Sequence, residues 1–174
     1  MTRQPPLPAR HLSVYDLHAL GHLLPASARE LVRVIGAQAA VTLLNALPGI
    51  TLPVPKAANS NRHGARRWAQ LVELVGPEAT ALLAAQFGGF ALEINTCAAL
   101  RCERRRRWLR AGFDVLTTGP GGLSKNHAIE QLGIELARAG EPMNNRSIEQ
   151  AIDSADASGL PLNVPFNLPL FDEV

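Results

Sequence analysis

The residues that most clearly suggest a chemical role are arginines near the middle of the chain. Between residues 101 and 125 only Glu103 and Asp114 offset them, whereas acidic residues outnumber basic ones from Glu130 onward. A guanidinium group binds phosphate oxygens through paired hydrogen bonds, but basic stretches are also common on solvated helix faces. The pattern therefore leaves both a phosphate-binding surface and a solvated face open. The cations concerned are Arg101, Arg104, Arg105, Arg106, Arg107, Arg110 and Lys125.

No set of residues typical of an active site or a cofactor site is evident. The GPGG segment at 119–122 lacks the Lys-Ser/Thr pair of a phosphate loop and predicts a break between helices. His18 and His22 have the spacing of a metal-binding pair, but no third ligand lies nearby, which favours exposed histidines. Cys97 and Cys102 are too far apart for a metal motif and are expected to be reduced. We expect a protein that is not an enzyme and needs no cofactor.

The composition indicates a soluble protein. At 174 residues and 47% hydrophobic composition, the chain can form one sizeable core or two small ones. No apolar run approaches the roughly 20 residues that a membrane helix needs. The first ten residues have no apolar segment after their charge, so secretion is not indicated and a cytoplasmic location is expected.

An internal repeat organises the first two thirds of the sequence. Residues Leu31–Gln70 and Leu71–Arg110 align at an offset of 40 residues, and the alignment superposes the only two tryptophans. A chance match in an Ala/Leu-rich chain would not do this, so we infer a duplication. Identical pairs are Leu31/Leu71, Val32/Val72, Gly36/Gly76, Ala39/Ala79, Leu43/Leu83, Gly49/Gly89, Leu52/Leu92, Ala58/Ala98, Arg66/Arg106, Arg67/Arg107 and Trp68/Trp108.

Each copy reads as two helices followed by a short strand. Ser27 and Glu30 have the spacing of a capping box at the first helix, which Gly36 ends. In the second copy Pro77 favours the start of a new helix that runs through Phe87. An alternating apolar segment then predicts a half-buried strand.

A single copy has too little apolar surface to fold alone, so the copies are expected to pack on each other. The result is four helices with a two-stranded ribbon, arranged as a pseudo-twofold core. Leu43 should then face the helix of Leu83, and the strands around Leu52 and Leu92 should lie side by side. After each strand comes a basic group, which in the first copy consists of Arg62, Arg66 and Arg67.

A helix-turn-helix is predicted after the repeat. We expect a basic helix from about Ala98 to Leu116, a second from about Lys125 to Ala139 capped by Ser124, and a third from about Arg146 to Ala155. The third would be capped by Asn144 or Asn145. The fold class is therefore mainly α with short β-strands. Its divisions are an arm and capping helix (1–26), the duplicated core (27–95), the basic helix with the helix-turn-helix (96–157) and an extended arm (158–174).

Several of these segments resemble the Mor/C family of transcription activators from Mu-like phages. The resemblance covers about Leu31 to Asp153, and its most specific pieces are QFGGFALEI with the arginine run behind it, GITLPVPK, and LSKNHAIEQLG at Leu123–Gly133. It implies a helical dimerisation region with short strands and a helix-turn-helix that enters the major groove. Its further implications are a homodimer, double-stranded DNA as partner, and activation through RNA polymerase. No catalysis, metal or cofactor is implied.

The resemblance assigns roles to two groups of residues. The acidic Glu149 and Asp153 would repel phosphates, so base reading is expected at the leading end of the last helix. The residues expected to read bases are Asn144, Asn145, Arg146, Ser147 and Gln150. Those expected to hold phosphates are Arg101, Arg104, Arg105, Arg107, Arg110 and Lys125.

Regular prolines predict that the C-terminal segment is extended, with Leu168, Leu170 and Phe171 as anchors for a partner. An arm that packs on its own body or on a second subunit is the preferred interpretation. The NLPLF sequence also resembles the short motif by which bacterial replication proteins bind a sliding clamp. The alternative to a DNA-binding regulator is therefore a protein-interaction module on the same fold.

Overall fold

The computed structural model of the chain describes residues 11–59 and 61–157. They are mainly helical, with one small two-stranded antiparallel sheet, as the sequence predicts. None of the described helices is both long enough and apolar enough to cross a membrane. The α-helices are α1 (Val14–Ala19), α2 (Ala26–Ala46), α3 (Arg62–Val75), α4 (Pro77–Phe87), α5 (Ala98–Thr117), α6 (Lys125–Arg138) and α7 (Asn145–Asp153); the strands are β1 (Thr51–Pro53) and β2 (Ala91–Glu93).

The chain divides into two compact units at the start of α5. One unit is Leu12–Leu100, and the other contains residues 101–157. The first therefore holds the whole predicted repeat core together with α1. The second holds most of α5 together with α6 and α7, which are the elements of the predicted DNA-binding region.

The first unit begins with a well-capped helix. The Asp16 N–H donates to Ser13 Oγ (3.1 Å), and the Ser13 N–H donates to Asp16 Oδ2 (2.7 Å), forming a capping box. The backbone of Leu12 exchanges two hydrogen bonds, both 2.9 Å, with the side chain of Asn45 in α2. This segment is thereby fastened to α2. His18, in the same helix, is exposed, as expected.

The start of α2 differs from the prediction. The helix begins at Ala26 with the extended Pro25 as its N-cap, and no side chain caps it. Ser27 consequently lies inside the helix, and Glu30 pairs with Arg33 one turn later (2.9 Å). The capping box predicted for Ser27 and Glu30 is therefore wrong, because a capping side chain must stand on the last extended residue before the helix.

Glycines with positive φ occupy corresponding places in the two copies. Gly36 has φ 79° and kinks α2, and Gly76 has φ 90° and separates α3 from α4. Gly49 (φ 75°) and Gly89 (φ 87°) precede β1 and β2. Residues with a Cβ rarely adopt a positive φ, so the glycines are needed where each copy changes direction.

The ribbon is symmetric about one residue pair. Leu52 stands opposite Leu92, which confirms that these strands are neighbours. The Gly49 N–H donates to the Ile94 carbonyl (2.7 Å), and the Gly89 N–H donates to the Val54 carbonyl (2.8 Å). Moving either bond by 40 residues produces the other, which is the relation that a twofold axis through the Leu52–Leu92 pair would give. These bonds agree with the expected internal symmetry at the ribbon.

The core of the first unit lies between α2, α4 and the ribbon. Leu43 and Leu83 are fully buried, as the packing of one copy on the other requires. Leu71 of α3 and Leu20 close the same core. The first half of α3, before Leu71, is exposed on nearly all sides.

The second unit is a three-helix arrangement with its own core. Ser124 caps α6 by accepting from the His127 N–H, as predicted. Gly133 of α6 lies so close to Ile148 of α7 that an added Cβ would stand 3.4 Å from that side chain. A small residue there lets the two helices pack closely. The buried residues of this core are Trp108, Leu109, Leu116, Ala128, Ile129, Leu132, Leu136, Ile148 and Ala151.

Candidate nucleic-acid interface

The arginines of α5 do not lie on one face. Arg104 and Arg107 are only 8% and 3% exposed, on the same side of the helix as Trp108. Residues three and four positions apart share a helix face, so a continuous run of arginines cannot be entirely solvated on a packed helix. Arg104 and Arg107 are therefore too buried to hold DNA phosphates in this structure, and that prediction is corrected for them.

Arg110 is engaged within the second unit. Its Nη2 lies 2.6 Å from Oε1 of Glu103, a carboxylate that is itself 4% exposed. Its Nη1 donates to the Oγ (2.8 Å) and the carbonyl (3.1 Å) of Ser154. Both Arg110 and Arg107 also face Asp156, at 3.4 and 3.3 Å.

The arginine network fastens the segment after α7 to α5. The Ala157 N–H also donates to Glu103 (3.3 Å), so the buried carboxylate holds this segment from one side and the Arg110 guanidinium from the other. A guanidinium that is already hydrogen-bonded to a buried carboxylate is poorly available to phosphate. The expected phosphate role of Arg110 is thus replaced by a structural one.

Arg105 and Arg106 remain at the surface of α5. Arg105 makes a long contact to Glu141 (3.9 Å), and the Arg106 side chain is 48% exposed, 3.5 Å from Glu103. Arg106 was not among the residues predicted to hold phosphates. The helical period could have indicated its exposure, because it places Arg104 and Arg107 on the buried face with Trp108 and Arg106 on the solvent face. Arg101 is half-buried. Of the predicted arginines, Arg105 is the one best placed for phosphate.

The leading end of α7 presents polar side chains to solvent. Asn145, Arg146 and Gln150 are exposed, while Ile148 anchors the opposite face in the core. Asn144 caps the helix by accepting from the Ser147 N–H (2.8 Å), so its carboxamide oxygen is engaged. The structure thus exposes four of the five residues predicted to read bases, the exception being the half-buried Ser147, and it gives Asn144 a capping role as well.

A groove of about 230 Å³ brings the two helices' polar groups together. Arg105 and Arg106 of α5 line it from one side, and Ser147 and Gln150 of α7 line it from the other. Cations that suit phosphate therefore stand beside amide and hydroxyl groups that suit base edges. Cys102, Leu109, Met143 and Ala151 complete the lining.

Lys125 is paired with the acidic face of α7. Its Nζ lies 2.6 Å from Glu149 and 4.0 Å from Asp153. The hydrogen bond with Glu149, helped by the charge of Asp153, raises the pKa of Lys125. The lysine is exposed and yet already partnered, so its phosphate role is weakened. The same pairing offsets the two carboxylates that would otherwise repel DNA.

Comparisons with protein-family models, with curated proteins and with solved structures gave no match. The resemblance to the Mor/C activators therefore depends on the motifs of this sequence. The arm residues Leu168, Leu170 and Phe171 lie outside the described residues, and so do the arm at 1–10 and Ser60. Within the described residues, no group of three or more His, Cys, Asp or Glu side chains could hold a metal ion, and Cys97 and Cys102 form no disulfide.

Proposed function

We propose that the chain is a DNA-binding transcription regulator of the Mor type, without enzymatic activity. The observation that carries the proposal is the groove in which Arg105 and Arg106 of α5 flank Ser147 and Gln150 of α7. An α-helix fits the major groove, where arginine pairs with guanine and asparagine or glutamine with adenine. The exposed Asn145, Arg146 and Gln150 supply those groups.

The leading end of α7 is the part of that helix best suited to meet DNA. Recognition helices of helix-turn-helix proteins use their N-terminal residues for base contacts, while the preceding elements hold the backbone. Farther along α7, Glu149 and Asp153 are partly offset by Lys125. Docking by the first turn keeps these carboxylates away from the phosphates.

A palindromic site requires a second chain. In this proposal α6 and α7 form the helix-turn-helix of each chain, and two half-sites are read by two such modules related by a twofold axis. In this proposal the duplicated core satisfies internally the contact that single-copy relatives would make between subunits. The homodimer would therefore form through another surface. RNA polymerase would be contacted by a chain that is already bound to its operator.

Selection from random duplexes tests the proposal directly. The full chain should enrich a defined sequence, and Arg146→Ala should relax the preference at one or two base pairs by about 1 to 3 kcal/mol each. Non-specific affinity should change little. Arg138→Ala is the matched control, since Arg138 is an exposed arginine of the same unit that pairs with Glu135 (2.9 Å).

A protein-interaction module is the second candidate, favoured by the engagement of Arg107 and Arg110 inside the unit. Such a module would act on a host protein, for example on a sliding clamp through the C-terminal arm, and would bind DNA weakly even at low salt. A DNA binder loses affinity steeply as salt rises from about 50 to 200 mM, because counterions compete for the phosphates. Failure to enrich any sequence, together with flat salt dependence, would decide for the module.

A further inference from the structure

A second basic surface lies on the first unit, around the start of α3. Its five cationic or titratable side chains are all exposed, and the sequence from 56 to 67 contains no acidic residue. Among the described residues none of its lysine and arginine side chains takes part in a salt bridge, unlike Arg107 and Arg110. We call it the α3 surface: Lys56, Arg62, His63, Arg66 and Arg67.

The fold presents these side chains on a projecting helix end. Asn61 caps α3 by accepting from the Gly64 N–H (2.7 Å), which fixes the direction in which the first turn leaves the loop. Arg62 and Arg66 then stand one turn apart on one side of the helix. Leu71 is the first residue of α3 to be buried, so the first two turns extend beyond the core.

A groove of about 380 Å³ runs beside this helix end. Its lining includes Pro53 at the end of β1, the following Val54 and Pro55, and the cations Lys56 and Arg67. Gly89 makes room for the Lys56 side chain, because an added Cβ would overlap Cε of that lysine. Lys56 and Gly89 both line the groove.

The two copies of the repeat differ in the exposure of one equivalent arginine. Arg67 and Trp68 correspond to Arg107 and Trp108, yet Arg67 is exposed whereas Arg107 is 3% exposed. The second copy turns its arginine inward to face Asp156. The first copy leaves the equivalent charge in solvent, where it is available to a partner.

We propose that the α3 surface binds the phosphate backbone of double-stranded DNA, as a contact additional to the groove between α5 and α7. The inference depends on the proposed function. Duplex DNA presents a negative charge every 1.7 Å or so of its axis, and arginine forks match phosphate oxygens. Exposed arginines at one-turn spacing, with no acid in the segment to neutralise them, suit that dense charge. The contact would add affinity without sequence preference, because phosphates carry no base information.

The test is the salt dependence of binding by full-length variants. Arg62→Gln with Arg66→Gln should reduce the slope of log K against log salt by about 2, since each lost phosphate contact contributes about 0.9. Fluorescence anisotropy with a labelled duplex of random sequence measures the slope. Arg29→Gln with Arg33→Gln is the matched control, because it removes the same charge from exposed positions on α2 and should reduce the slope far less.

Three further measurements fix the interpretation. Replacing both arginines by lysine retains the charge and should restore most of the slope, while circular dichroism verifies that each variant is folded. Equal slope reductions in the α3 and α2 variants would overturn the contact, and so would binding of polyglutamate as tightly as DNA. If the parent chain binds no duplex at low salt, the proposed function itself fails. If the parent binds and Arg146→Ala loses discrimination while the α3 variant keeps its slope, only this inference fails.

Discussion

Arg110→Met is expected to destabilise the second unit strongly, because the arginine compensates a buried carboxylate. The guanidinium lies 2.6 Å from Glu103, which is 4% exposed, and it also holds Ser154 through two hydrogen bonds. Removing one partner of a buried pair costs about 3 to 5 kcal/mol. Arg106, 3.5 Å from the same carboxylate, would recover part of the attraction. We therefore expect a loss near the lower limit, about 3 kcal/mol.

The assay is equilibrium unfolding in urea, read from a single tryptophan. Trp108 lies in the core of the second unit, so a Trp68→Phe background makes the fluorescence report on that unit. Arg138→Met provides the control, since the Arg138 side chain is 52% exposed and its pair with Glu135 should contribute at most about 0.5 kcal/mol. A loss below about 1 kcal/mol for Arg110→Met, equal to the control, would refute the structural role. Unchanged stability with weaker DNA binding would return Arg110 to the phosphate contacts.

Two other predictions concern backbone and charge. An added Cβ meets nothing within 4 Å at either Gly76 or Gly21, so the two positions differ in backbone conformation. Gly76→Ala should lower the free energy of unfolding by about 1 kcal/mol or more because φ is 90° there, whereas Gly21, which is not among the glycines with positive φ, should tolerate Ala with little change; urea midpoints compare the two. The hydrogen bond with Glu149 raises the pKa of Lys125, so the stabilisation by this pair is full below the ordinary value of 10.5 and is lost as the pH rises through the raised value. Melting temperatures of the parent and Lys125→Met should consequently differ at pH 8 and converge in strong alkali, and a constant difference would contradict the assignment.

Local signals were enough to predict most helices and the ribbon. Pro77 and the following acid define the start of α4, which runs from Pro77 to Phe87 as expected. Ser124 and Asn144 cap α6 and α7 as their side chains favour. The adjacency of the strands around Leu52 and Leu92 was predicted from the duplication, since neither strand alone specifies a partner, and the structure adds the antiparallel direction with Leu52 opposite Leu92. These features depend on residues close in sequence or on a repeat that is visible in it.

The fate of the arginines was harder to predict, because it depends on contacts distant in sequence. Arg110 meets Ser154 and Glu103 meets the Ala157 backbone, and no periodicity indicates where a non-helical segment after α7 will lie. The burial of Arg104 and Arg107 could have been predicted, since they lie on the same helix face as Trp108. A continuous basic run conceals that period when charge alone is counted.

The two copies of the repeat show how one sequence element can serve two purposes. In the second copy, Arg107 faces Asp156 and lies beside a buried Trp108, so its charge contributes to the packing of the unit. Among the described residues no acid forms a salt bridge with the equivalent Arg67, which is exposed beside a half-buried Trp68. A duplication supplies this freedom, because one copy can take up an intramolecular role while the other keeps its surface. It follows that the more densely basic segment is not the more available one: availability to a phosphate is decided by neighbouring carboxylates and burial, and by both measures the α3 surface exceeds the arginine run of α5.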